Sequence, residues 1–102
     1  MGCISEYAVA SDLLQRGFEV FKALSPAASC DLIVMKDGKY FRIEVKTGTK
    51  KGDGVYWNAP RAGLSDILGV YILATKEVLY PDKKPWDLVR CRMSLLEDHY
   101  IS

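Results

Sequence analysis

Apolar and polar positions divide the chain into recognisable pieces. Residues 4–16, ISEYAVASDLLQR, repeat at helical spacing, with Val9, Ala10, Leu13 and Leu14 as the apolar stripe and Gly17 as the cap that ends it. FEVFKAL (18–24) reads as a strand and SPAASC as a loop. DLIVMK and KYFRIEVK flank Asp37-Gly38, a pair that suits a two-residue hairpin turn. With 37 and 38 as the turn, Lys36 faces Lys39, Ile33 faces Arg42 and Asp31 faces Glu44. Leu32, Val34, Phe41, Ile43 and Val45 then share one wholly apolar face, the core side. TGTKKG reads as a basic, glycine-punctuated loop, GVYWNAP as another strand, and RAGLSD as a loop or short helix. ILGVYILAT is an apolar strand on which EVLYP pairs back. In the last stretch Pro85 should break any helix, DLVRCR reads as a strand and SLLEDHY as a closing helical turn. The expected order is α-β-β-β-(short α)-β-β, one mixed sheet with the first helix packed on it.

Two places resist this plain reading. At about 100° per residue, Glu6 falls between Val9 and Ala10 and nearly in line with Leu13, inside the apolar stripe. A carboxylate there is costly unless something pairs with it; the bland alternative is a first-turn residue that reaches solvent and complements the helix dipole. The hairpin register also sets Asp31 opposite Glu44, with Cβ atoms about 5 Å apart. Lys46 lies two residues further on the same face. Two opposed carboxylates with an ammonium beside them can be half of an active site, or a frayed strand end screened by water.

Composition narrows the classes. The 102 residues suit a single domain spanning 1–102, 49% apolar and 26% charged, with a formal net charge of +1. That balance excludes a wholly cationic surface. Between Lys36 and Lys51, however, six basic residues stand against two acidic ones, an excess of +4 that can attract phosphate or simply solvate a lysine-rich hairpin. Cys3, Cys30 and Cys91 are odd in number and lack CxxC spacing, which speaks against a disulfide framework and a structural zinc site. Ile67–Thr75 is too short to cross a bilayer and nothing resembles a signal peptide, so no membrane partner is expected. A cytoplasmic location is expected, with nucleoid association or phage origin in a host cell as variants.

Glu6, then Asp31, then twelve residues and Glu44-Val45-Lys46, together with the hairpin register and its apolar opposite face, resemble the core of the PD-(D/E)XK nuclease superfamily. The opening half, residues 2 to 48, is similar to archaeal Holliday junction resolvases and to small phage and homing-type endonucleases. The first motif is Cys30-Asp31 where the family often has Pro-Asp. The fold implied is α/β (α+β), a restriction-endonuclease-like α-β-β-β-(α)-β core with one mixed central sheet.

The resemblance implies a metal-dependent endodeoxyribonuclease. Asp31, Glu44 and the Val45 carbonyl would ligate Mg2+, with Mn2+ as a substitute. Lys46 would orient the attacking water or offset charge on the transition state, and Glu6 would hold a second metal or a water on it. Lys50, Lys51 and Arg61 would follow the DNA backbone, with Asn58 beside them. Trp57 is expected in a core or interface rather than on bases. Lys36 and Lys39 are expected to solubilise the hairpin tip, while His99, Trp86 and Tyr100 are read as structural. The partner would be junction, branched or duplex DNA. One site cuts one strand, so a homodimer or higher oligomer is expected. A structure-selective, junction-resolvase-like activity leads. A site-specific homing or restriction-type nuclease, a non-catalytic nucleic-acid-binding module of the same fold, and a structural or toxin-type protein with a chance pattern stand beside it.

Overall fold

A computed structural model describes residues 2–25, 31–60, 63 and 65–88. Helix α1 runs Gly2–Gln15. It stops because Gly17 adopts a left-handed φ of 89°. The Gly17 amide then donates to the Leu14 carbonyl at 3.0 Å and the Phe18 amide to the Leu13 carbonyl at 3.1 Å, the paired bonds of a Schellman stop. Lys36 donates to the Gly17 carbonyl at 3.2 Å, so this hairpin lysine fastens the end of the helix in addition to being a soluble tip.

The strands are β1 (Glu19–Lys22), β2 (Leu32–Lys36), β3 (Lys39–Lys51), β4 (Gly54–Tyr56), β5 (Ile67–Ile72) and β6 (Glu77–Leu79), followed by the short helix α2 (Pro85–Leu88). The sheet order is β1-β2-β3-β5-β6, with β4 paired to β3. Only β3 and β5 run parallel among these pairs, which makes the sheet mixed, as expected. The β2–β3 register is the one that the Asp-Gly turn dictates, from Lys36↔Lys39 to Leu32↔Ile43. Asp37 and Gly38 both have positive φ, 52° and 78°, the type I′ geometry whose twist matches the strands.

The core lies between α1 and the sheet. Val9, Leu13, Phe18, Leu32, Val34, Ile43, Ile67 and Tyr80 fill it, with Phe41, Val45 and Trp86 packed against them. Gly69 makes this approach possible, because a Cβ there would stand 3.0 Å from Val9 Cγ1. The Tyr80 hydroxyl donates to Asp12 Oδ2 at 2.6 Å. Burial, and then this bond, push that hydroxyl above its ordinary pKa of 10, so it stays a neutral donor. Trp86 meets Tyr80 edge-on, with centroids 5.2 Å apart, and carries the Arg16 guanidinium over its face. Leu68, Val70 and Ile72 are buried too, and strand alternation turns them to the other face. β5 is therefore covered on both sides, which is why ILGVYI is an unbroken apolar run.

Several expectations need correction. The buried line of α1 is Ser5, Val9 and Leu13, whereas Leu14 is 57% exposed. Glu6 thus flanks the stripe instead of sitting in its middle, and because the helix starts at Gly2 it lies beyond the first turn. The basic loop is strand: β3 continues to Lys51 and turns at Gly52-Asp53 into β4. Pro85 opens helix α2, where its missing amide costs nothing, so Asp87 and Leu88 are helical instead of extended. The connection from β3 to β5 contains β4 and residues 57–66, and the bracketed short helix was expected there; residues 61, 62 and 64 lie outside the described residues. So do Cys30, Arg61, Cys91, His99 and Tyr100. Among the described residues, no helix is long and apolar enough to cross a membrane.

Candidate active site

β3 carries the site, and its alternation explains how. The turn at 37–38 makes Lys36 and Lys39 a hydrogen-bonded pair, so odd-numbered residues of β3 direct amide and carbonyl toward β2. β2 stops at Leu32, opposite Ile43. Two residues on, Val45 presents the same two main-chain groups to a gap where no strand of this hairpin remains. Asp31 occupies the mouth of that gap. Its amide donates to the Ile43 carbonyl at 3.0 Å, and its Oδ2 accepts the Val45 amide at 2.7 Å. The ladder has slipped by one residue here, since Ile43 is also the register partner of Leu32. Asp31 therefore does not stand squarely opposite Glu44, as simple continuation of the hairpin would have it. Its carboxylate reaches along the β3 edge instead.

Even-numbered residues of β3 project from the sheet face opposite α1. Glu44 is 1% exposed there, a rare environment for a carboxylate. The Lys46 ammonium lies 3.3 Å from Glu44 Oε2. Pairing of this kind is what makes such burial tolerable. Among the described residues every buried side-chain nitrogen and oxygen has a hydrogen-bond partner. Behind the pair, β5 runs parallel with Leu68 beside Glu44 and Val70 beside Lys46, so both charges rise from a rigid, dry base. Arg42 further fixes this end of β3. Its amide and guanidinium grip the Asp66 carboxylate at 2.8, 3.3 and 3.2 Å, and the Asp66 amide returns a bond to the Arg42 carbonyl at 2.8 Å. The hydrogen bonds from the Arg42 side chain, then from its amide, hold the Asp66 carboxyl below its ordinary value of 3.8.

Glu6 lies on the helix side. Its carboxylate is 3.4 Å from the Lys22 ammonium, which also sits over the Tyr7 ring. Lys22 is the β1 partner of Leu32, and the next amide, Ala23, donates to the Asp31 carbonyl at 3.1 Å. Glu6 therefore approaches the Asp31 end of the hairpin through Lys22 but does not join Glu44. Among the described residues no three His, Cys, Asp or Glu side chains converge as a metal cluster. The structure brings together Asp31, Val45, Glu44 and Lys46 on adjacent backbone and leaves Glu6 at the rim. Lys50 and Lys51 are exposed on the far end of β3, and Asn58 is exposed just past β4. Trp57 is half-buried beside it.

This edge offers two carboxylates and one main-chain carbonyl. Hard oxygens with room for water suit a small divalent cation. Sequence reasoning missed the Arg42–Asp66 clamp, whose only signal was an aspartate directly ahead of an apolar run. It also missed the hydrogen bond between the Ser5 and Thr47 hydroxyls, which joins the start of α1 to β3.

A profile of the PD-(D/E)XK endonuclease family matches residues 1–66. No curated protein matches the sequence. Among solved structures, a bacterial homing endonuclease superposes with a TM-score of 0.64 at 19% identity, over 78% of this chain and 64% of that one. The chain thus spans somewhat under two thirds of that protein, and the likeness is one of fold. Since α1, the Asp-Gly hairpin and the Asp31, Glu44-Val45-Lys46 edge all fall within the 66 matched residues, the chain belongs to the PD-(D/E)XK endonuclease family.

Proposed function

We propose that this chain hydrolyses phosphodiester bonds in DNA with the help of a divalent metal ion at the Asp31–Glu44–Lys46 edge of β3. The observation that carries the reading is Glu44, a carboxylate buried to 1% yet ion-paired to Lys46, next to an aspartate clasping the β3 backbone. A chain without catalytic need for these groups would replace them with apolar residues at little loss.

Asp31, Glu44 and the Val45 carbonyl would hold Mg2+ or Mn2+. Such an ion supplies charge neutralisation at the scissile phosphate and a more acidic water for in-line attack. Lys46 aims its ammonium at the same phosphate, where it orients the nucleophile or offsets the charge that grows in the transition state. Glu44 positions that ammonium. Glu6 would serve from the rim, holding a water or a second ion. Lys50, Lys51 and Arg61 contact the DNA backbone, with Asn58 on the nucleic acid beside them.

The substrate is branched DNA, with junctions as the leading class, and two copies of the chain act together so that both strands are cut. The fold neighbour's description as a homing endonuclease supports a second reading, cleavage at a specific site.

The test is strand cleavage with Mg2+, wild type against Glu44→Ala, with a four-way junction and a supercoiled plasmid in one tube. Cutting of the junction alone, lost in the variant, is the expected result. A discrete plasmid cut would favour the site-specific reading. Equal binding of the junction by both proteins with no cleavage would leave a non-catalytic DNA-binding module and overturn the mechanism.

A further inference from the structure

A concave pocket of about 360 Å3 is built where β3 and β4 pair. Thr47, Thr49 and Lys51 form one wall, and Tyr56, Trp57 and Asn58 form the other. The first three alternate along the α1 face of β3, the face opposite Glu44 and Lys46, beginning two residues beyond Val45, roughly 7 Å at the rise of a strand. The second three arise because β4 returns antiparallel. Lys51 pairs with Gly54 and Thr49 with Tyr56, so the chain leaves β4 heading back toward Thr47.

The lining combines two aromatic rings, two threonine hydroxyls, a carboxamide and an ammonium. Aromatic faces stack any nucleobase, hydroxyls and a carboxamide satisfy its hydrogen-bonding edge, and an ammonium suits a phosphate. The volume falls at the small end of ligand pockets, the size class of a single nucleotide. A base that is paired and stacked in a duplex has neither its faces nor its pairing edge to offer, and cannot enter a pocket without leaving the stack.

We infer that this pocket is a subsite for one unpaired nucleotide at the open edge of β3, across the strand from Glu44 and Lys46. It would direct the enzyme to DNA whose strand is interrupted, flapped or branched there. The inference rests on the proposed nuclease reading only in that the captured nucleotide belongs to the strand being cut, because base capture can be measured without cleavage. Trp57 is the principal stacking residue, half-buried and so held in place. Asn58 and Thr49 read the base edge. Lys51 meets the flanking phosphate.

The experiment measures binding by fluorescence anisotropy with metal chelated, using a fully paired duplex and the same duplex carrying one unpaired nucleotide. Wild type should bind the second about five- to a hundred-fold more tightly, the worth of one stacked base. Trp57→Ala should erase that preference while leaving paired-duplex affinity unchanged, and Trp57→Phe should retain most of it. Unchanged melting temperatures show that the variants are folded. Equal binding of both duplexes by wild type, or a preference that survives Trp57→Ala, overturns the subsite. The two readings fail separately. If the preference holds but Mg2+ supports no cleavage, the subsite stands and the nuclease reading falls. If Glu44→Ala abolishes cleavage and no preference exists, the reverse is true.

Discussion

Glu44 is the side chain on which the proposed chemistry turns. It is nearly inaccessible to solvent, and the Lys46 ammonium lies 3.3 Å from its carboxylate. Replacing it by glutamine removes a buried charge and keeps the shape. Glu44→Gln should therefore stay folded, with a melting temperature equal to or above that of wild type, while cleavage falls by orders of magnitude. Mg2+ distinguishes function from architecture. At a hundred times its dissociation constant, an ion that binds only the native state adds about 2.7 kcal/mol. Calorimetry should show that gain in wild type and not in Glu44→Gln; equal gains in both would remove Glu44 from the metal site. Asp66 gives a second prediction at this scale. Its carboxyl is held below 3.8 by Arg42, so the pair stabilises the fold above that pH, and the contribution disappears as pH falls through the lowered value. Both side chains are more than a third exposed, at 41% and 37%, which limits the effect to about 1 kcal/mol or less. Urea melts of Arg42→Ala and wild type should differ at pH 7 and converge as pH falls through the lowered value.

Among the elements, helix α1 is seated by a residue that lacks a side chain. Gly69 lets β5 pass under Val9, and an added methyl would meet Val9 Cγ1 at 3.0 Å. Gly69→Ala should cost about 1–3 kcal/mol, as overpacked cores do, seen as a lower urea midpoint. Val9→Ala in the same chain should recover part of the loss. The elements also show what a sequence can carry. The β2–β3 register was readable because Asp37-Gly38 allows a single turn type, and an apolar face then had to fall on Leu32, Val34 and Ile43. Local chemistry fixed that much. The length of β3 was not readable, because TGTKK is polar and glycine-containing, and what makes it a strand is pairing with β4 across a turn with weak signals. The burial of Glu44 was equally hidden. It depends on β5 lying parallel behind β3, a partner distant in sequence that no local pattern announces. Leu14 was misplaced because a helical wheel cannot say which neighbour the stripe will meet.

The whole molecule should meet DNA along the line from Asp31 to the β3–β4 turn. Lys50 and Lys51 are exposed at the far end of that line, on opposite faces of the strand. Each phosphate contact releases counterions, so replacing either lysine by alanine should weaken binding to all DNA sequences alike. It should also lower the slope of log affinity against log salt by about one. Titrations at three salt concentrations would show this, and an unchanged slope would place that lysine away from the phosphates. The residual slope of the double variant then reports what the rest of the surface contributes.

β3 pairs with β2 across a two-residue turn but with β5 only after a long excursion, Ile43 finding Ile67 twenty-four residues later. Hairpins of the first kind close in about 1–10 μs, while non-local parallel pairing is slow because the loop entropy is lost before any contact compensates it. On the way to the native state, Asp31 can therefore clasp Val45 while Glu44 still stands in water. The parts of the site are assembled on different clocks, and the arrival of β5 is the step that turns a solvated glutamate into a buried one.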